Sequence, residues 1–199
     1  MPKQERRRRG EVLISAIYEA TIEILEQKGY EAVTFQNVAR QAHTTRSVIY
    51  RYWDDPFHLI YEASLQHMKK NSNWQGPMID HEFNSGALRT DLWNMMQQLK
   101  ENATFFPKNF LTFLHFEQIQ GKRTLEHLLP EVQQSNLIII ERILARAQER
   151  GEAREHIGQT AKMLPFQISR YHLLVDNQII SNDNIKKIVD EVLLPLYKK

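Results

Sequence analysis

The chain of 199 residues contains no cysteine, which excludes disulfides, thiolate metal sites and cysteine nucleophiles. Glycine and proline number 7 each, too few for a collagen-like or linker-dominated protein. Long apolar runs are missing too: no uninterrupted stretch of about 18 apolar residues occurs, which excludes a membrane-spanning helix. The basic start MPKQERRRRG ahead of EVLISAIYEATIEIL imitates a secretory signal, but Glu11, Glu19 and Glu23 break the run and no small-residue cleavage site follows. A soluble, cytoplasmic protein is expected. Catalytic constellations are equally absent. There is no glycine-rich phosphate loop, no HExxH and no Gly-x-Ser-x-Gly, and no two of the scattered histidines lie three or four residues apart. Neither a metal nor a cofactor is expected, and a helical small-molecule enzyme is the remote alternative.

What is present is helical periodicity. Alternating strand patterns are not found, so the fold class is all-α. Leu13, Ile17, Ala20 and Ile24 fall on one face of a first helix that Gly29 is placed to end in the left-handed conformation. Thr34 begins a short second helix with Phe35, Val38 and Ala39 facing inward, and Thr45 begins a third with Ile49 and Trp53 inward. Asp55-Pro56 is a strong start for a fourth helix reaching about Lys70. Residues 71–86 are the loosest segment. Helical patterns then return at roughly 87–101, 103–119, 122–129, 131–150, 157–179 and 183–197, with Pro165 bending one of them or marking a shifted start.

Phe35 to Trp53 reads FQNVARQAHTTRSVIYRYW: two short apolar-periodic pieces around the polar corner Ala42-His43-Thr44-Thr45. Helix, corner, helix is the layout in which the second helix enters the DNA major groove, about 12 Å wide. Arg46 suits phosphate or the O6 and N7 edge of guanine. Ser47 is small enough for close approach, and Tyr50 and Arg51 can reach phosphates one turn on. Thr34 and Thr45 stand at helix N-termini, whose unpaired N–H groups favour phosphate. The bland alternative is a solvated face with two arginines, and charge alone favours it. Corner, caps and basic start together favour DNA. The Arg6–Arg9 run is expected to be a flexible arm reaching phosphates or a minor groove, the alternative being a disordered, merely solubilising tail.

From Arg8 to about Ala63 the chain resembles the N-terminal domain of TetR-family transcriptional regulators. The resemblance lies in Gly29-Tyr30, Val33-Thr34, Val38-Ala39, Ala42 and Ile49-Tyr50-Arg51-Tyr52-Trp53 followed by Leu59, with the spacing kept throughout. It implies a three-helix DNA-binding domain at 8–55 and a helical regulatory and dimerisation domain at 56–199. Two positions depart from the family: His43 stands where glycine is usual at the corner, and Pro56 where a lysine is usual near the start of the fourth helix.

In the second domain, Trp93, Phe106, Phe110, Phe113 and His115 could line a cavity for a small-molecule effector, or the rings could be ordinary core. Leu164, Ile168, Tyr171 and Val175 form one apolar stripe, and Ile185, Ile188, Val192 and Leu196 another. Paired across a twofold axis, they could close a four-helix homodimer interface; packing within one chain is the alternative. Ile143 to Leu196, with RAQERGEAR, also resembles a C-terminal domain of many such regulators. The resulting expectation is a homodimeric, ligand-responsive repressor on a palindromic DNA operator. A regulator controlled by a protein partner, or lacking an effector, is the alternative.

Overall fold

A computed structural model describes residues 2–70, 75–120, 128–176 and 178–199. Among these the chain is helical, with one isolated bridge between Ala153 and Lys198 in place of any sheet. It divides into two compact units, Met1–Trp74 with Phe105–Gln120, and Gln75–Thr104 with Gly121–Lys199.

The first unit is built on α1 (Pro2–Lys28), α2 (Phe35–Gln41), α3 (Arg46–Ile49), α4 (Pro56–Lys69) and α6 (Phe110–Ile119). Helix α1 buries Ile17, Ala20, Ile24 and Leu25, the face its periodicity marks. A buried threonine on that face, Thr21, donates to the carbonyl of Ile17 and so leaves no polar group stranded. Gly29 ends the helix at φ 80, ψ 171, a region that only glycine occupies at ease and not the left-handed helical one. The backbone of Arg6–Arg9 continues α1 and does not leave it as an arm, and the side chains of residues 2–9 lie outside the described part. Helix α4 starts as its sequence promises, with Pro56 in the first turn and the Asp55 side chain accepting from the main-chain N–H of His58 at 2.9 Å.

Helices α4 and α6, assigned by sequence to the second domain, belong to this first unit. The reason is side-chain complementarity. Phe57 of α4 meets Phe113 of α6 with ring centroids 5.3 Å apart, and Tyr30 meets Phe116 at 4.8 Å. Asn109, at φ 69, donates through Nδ2 to the carbonyl of Leu25 at the end of α1. The break before α6 also lies later than periodicity suggests. Helix α5 runs Leu88–Phe105, and the chain turns around Pro107, which cannot continue it.

The second unit holds most of α5, with α7 (Leu128–Glu149), α8 (Gln159–Leu174) and a C-terminal helix. That last element is α9 (Asn182–Lys187), a π-helical stretch Ile188–Leu193 and α10 (Leu194–Tyr197). Leu92, Met95, Met96, Ile140, Ile143, Phe166, Val189 and Tyr197 make its core. Residues 122–127, expected to be helical, lie outside the described part, and α7 is one helix through Pro130. The widened turn at 188–193 precedes Pro195, which has no N–H for the carbonyl of Glu191.

Pro165 neither stops α8 nor begins it. It removes the donor for the carbonyl of Ala161, and the buried Tyr197 hydroxyl donates to that same carbonyl at 2.7 Å. Burial raises the Tyr197 pKa above the ordinary phenol value. Asp91, fully buried at the start of α5, accepts from the main-chain N–H and the hydroxyl of Ser85 at 2.6 and 2.7 Å and faces Arg150 at 3.5 Å.

Candidate nucleic-acid interface

Helix α2 is capped by Thr34, whose hydroxyl accepts from the N–H of Asn37 at 3.2 Å. Its inner face, Phe35, Val38 and Ala39, is buried. The corner follows at His43, with φ 51. Histidine therefore holds the left-handed turn that glycine would hold without strain, and the N–H of Thr44 closes the corner on the carbonyl of Ala39 at 2.9 Å.

Helix α3 is shorter than the pattern suggests. Regular α-helix covers Arg46–Ile49 only, and turns carry the chain to Trp53, whose N–H bonds the carbonyl of Ile49 at 3.1 Å. The Thr45 side chain makes no capping bond. A single turn aligns too few peptide dipoles for the N-terminal phosphate site expected there. Whatever Thr45 offers a phosphate comes from its own hydroxyl.

Two buried anchors hold this segment: Ile49, fully buried, and Trp53, 4% exposed. The Trp53 indole N–H donates to Glu62 of α4 at 2.7 Å, and the Tyr18 hydroxyl of α1 donates to the same carboxylate oxygen at 3.0 Å. The Tyr18 and Trp53 rings meet edge to face, centroids 5.6 Å apart. Burial, reinforced by the Glu62 carboxylate, pushes the Tyr18 phenol up to about 12. Sequence patterning misses Glu62 and Tyr18 because each is distant from Trp53 along the chain.

All of Thr34, Thr45, Arg46, Ser47, Tyr50 and Arg51 are exposed. Tyr50 is 57% exposed while its ring packs edge-on against Phe35, centroids 4.7 Å apart, so its hydroxyl projects from a fixed base. Among the described residues, Arg46, Ser47, Tyr50 and Arg51 have no side-chain hydrogen bond or ion pair. Tyr52, half exposed beside Trp53, joins this surface although sequence reasoning did not single it out. A readable signal was available: no aspartate or glutamate lies between Glu31 and Asp54. The segment thus carries arginines with no carboxylate to repel a phosphate.

The remaining expected site residues scatter. Phe106, Phe110, Phe113 and His115 lie in the first unit, Trp93 in the second. Phe110 and Phe113 are buried against Phe57, Tyr30 and Tyr61, and His115 is half-buried with Nδ1 unpartnered. On the other expected face, Tyr171, Val175 and Val192 are exposed, whereas Leu164 and Ile188 lean on the second core and Ile168 is half-buried.

Residues 17–55, the helix-turn-helix just described, match the bacterial regulatory proteins of the tetR family. This segment is the DNA-binding domain of TetR-family transcriptional regulators. The whole chain is 26% identical over 190 residues to a DNA-binding transcriptional repressor TetR of Mycobacteroides abscessus, covering 96% of each chain. To an HTH-type transcriptional regulator of Mycobacterium bovis it is 22% identical over 177 residues, 88% of this chain and 83% of the other. Among solved structures, a linker-substituted HlyIIR mutant superposes with a TM-score of 0.61 at 19% identity, over 90% of this chain and 96% of that one. The TetR family transcription regulator SCO0332 gives 0.55 at 18% identity, over 91% and 96%. At such identities the structures speak for the shared helical fold. Among the described residues, no helix is long and apolar enough to cross a membrane.

Proposed function

We propose that this regulator is a ligand-responsive repressor that binds a palindromic operator as a homodimer, reading DNA with Thr34, Thr45, Arg46, Ser47, Tyr50 and Arg51. The observation that carries the reading is the exposed, unpartnered donor set on α3 and the turn after it, held by buried Ile49 and Trp53. Such a segment has no packing use for Arg46 and Arg51, whereas duplex DNA supplies both phosphates and guanine edges. The relative from Mycobacteroides abscessus is named a repressor, which supports that sign of regulation.

The homodimer is supported by Tyr171, Val175 and Val192, apolar side chains on α8 and the C-terminal helix that this chain leaves in solvent. Twofold pairing through them would match a palindromic operator. Ligand response requires only an effector preferring the arrangement that does not fit DNA. A preference of about 1–3 kcal/mol changes affinity some 5- to 150-fold. Helix α4 grips Trp53 through Glu62, so any shift of α4 moves the reading segment.

Selection of bound sequences from random duplex DNA tests this reading. A symmetric consensus is expected. Arg46→Ala should cost about 1–3 kcal/mol and relax preference at one position of each half-site. Tyr50→Phe keeps the ring on Phe35 and should weaken all sequences alike. Absence of any enriched sequence, or equal and sequence-independent losses from both variants, refutes the base-reading role of Arg46.

A further inference from the structure

Most described arginines have partners: Arg40, Arg89, Arg142, Arg146, Arg150 and Arg154 each donate to a carboxylate, an amide oxygen or a main-chain carbonyl. Arg46, Arg51 and Arg170 donate to nothing among the described residues. The first two lie on the DNA-reading segment. Arg170 sits in the second unit, half-buried on α8, and DNA reading by α3 gives it no task.

Arg170 stands at the edge of a groove of about 490 Å³ between α7 and α8. Leu137, Met163 and Phe166 supply most of its apolar lining, with Phe166 only 3% exposed. Gln133, Gln134, Gln159, Thr160, Gln167 and Arg170 supply its polar lining, and among the described residues no aspartate or glutamate lines it. A volume in this range is that of a small-molecule site, and this lining is mixed, with polar side chains beside the apolar ones. A guanidinium without a carboxylate partner sets the complementary charge, because its planar fork fits a carboxylate with two parallel hydrogen bonds. Glutamine amides can donate to or accept from a further polar group. The groove residues Met163, Gln167 and Arg170 lie one step, about 100°, around α8 from the stripe Leu164, Ile168 and Tyr171. A ligand here leaves the stripe free.

We infer that the α7–α8 groove binds a small carboxylic acid with an apolar body, the carboxylate on Arg170 and the body over Leu137, Met163 and Phe166. Binding itself is independent of the ligand-responsive reading above; a part in control of DNA affinity rests on it.

Calorimetric titration of the full chain with 4-phenylbutyrate and octanoate, against 4-phenylbutan-1-ol and 1-octanol, tests the inference. Saturable binding of at least one acid is expected, at least tenfold tighter than its alcohol and at least tenfold weakened by Arg170→Gln. Leu137→Trp, which fills the apolar part of the groove and keeps the charge, should also abolish it. The inference is overturned if neither acid binds, if acid and alcohol bind alike, or if Arg170→Gln leaves acid binding unchanged. It is equally overturned if that variant alters only the oligomeric state, because the groove would then face a second copy of the chain. Operator affinity measured with and without saturating acid is a separate readout. Arg170-dependent binding with unchanged DNA affinity upholds the groove and removes this ligand from regulation.

Discussion

Replacing Tyr197 by phenylalanine removes one oxygen from a side chain that is 0% exposed. That oxygen donates to the carbonyl of Ala161 at 2.7 Å, the carbonyl that Pro165 leaves without its helical partner. No water replaces the bond at a buried site, so the variant should lose about 1–3 kcal/mol of unfolding free energy. A second substitution isolates the cause. Pro165→Ala restores a main-chain N–H within reach of the same carbonyl, so Tyr197→Phe in that background should cost about 1 kcal/mol or less. The coupling between the two sites is then about 0.5–2 kcal/mol. Urea unfolding followed by circular dichroism measures all corners of the cycle, provided the dependence on denaturant is unchanged across the variants. Equal cost of Tyr197→Phe in both backgrounds would refute the idea that tyrosine stands in for the missing amide proton.

Three further outcomes follow from the first unit. Glu62→Leu strands the Trp53 indole N–H and should destabilise by about 1–3 kcal/mol, with weakened operator binding, whereas Glu62→Gln keeps an acceptor and should cost less; urea melts and DNA titrations of both decide. His43→Gly relieves a non-glycine residue at φ 51 and should stabilise by up to about 1 kcal/mol, while His43→Val should destabilise, both read by thermal melts. The Tyr18 pKa, raised from 10.0 to about 12, makes its contribution complete below pH 10 and progressively lost between pH 10 and 12. Tyr18→Phe should flatten that alkaline decline, and an unchanged pH dependence of stability would remove Tyr18 as its source.

Local chemistry carried the DNA-binding half of the sequence reading. Helix starts at Thr34 and Asp55, the glycine end at Gly29 and the inward faces of α1, α2 and α4 depend on residues a turn or two apart. Such features are visible in any short window. The same locality explains the errors. A four-residue α3 continued by turns has the same spacing as a longer helix, so Thr45 reads as the start of a longer helix although its side chain makes no capping bond. Of the two readings of Pro165, a bend or a shifted start, the shifted start fails, and the residue that satisfies Ala161 lies near the far end of the chain.

The sequence by itself determined an all-helical chain, the corner at His43 and which side chains of 34–51 turn outward, because helical period and backbone preference are settled within one element. Only tertiary structure decided that α6 packs with the DNA-binding helices, that Phe110 and Phe113 are core, that Glu62 grips Trp53, and that Arg170 has no partner among the described residues beside the α7–α8 groove. Each of these depends on which of several similar apolar faces meet. That choice is made by the fit of side chains far apart in the chain, and periodicity says nothing about it.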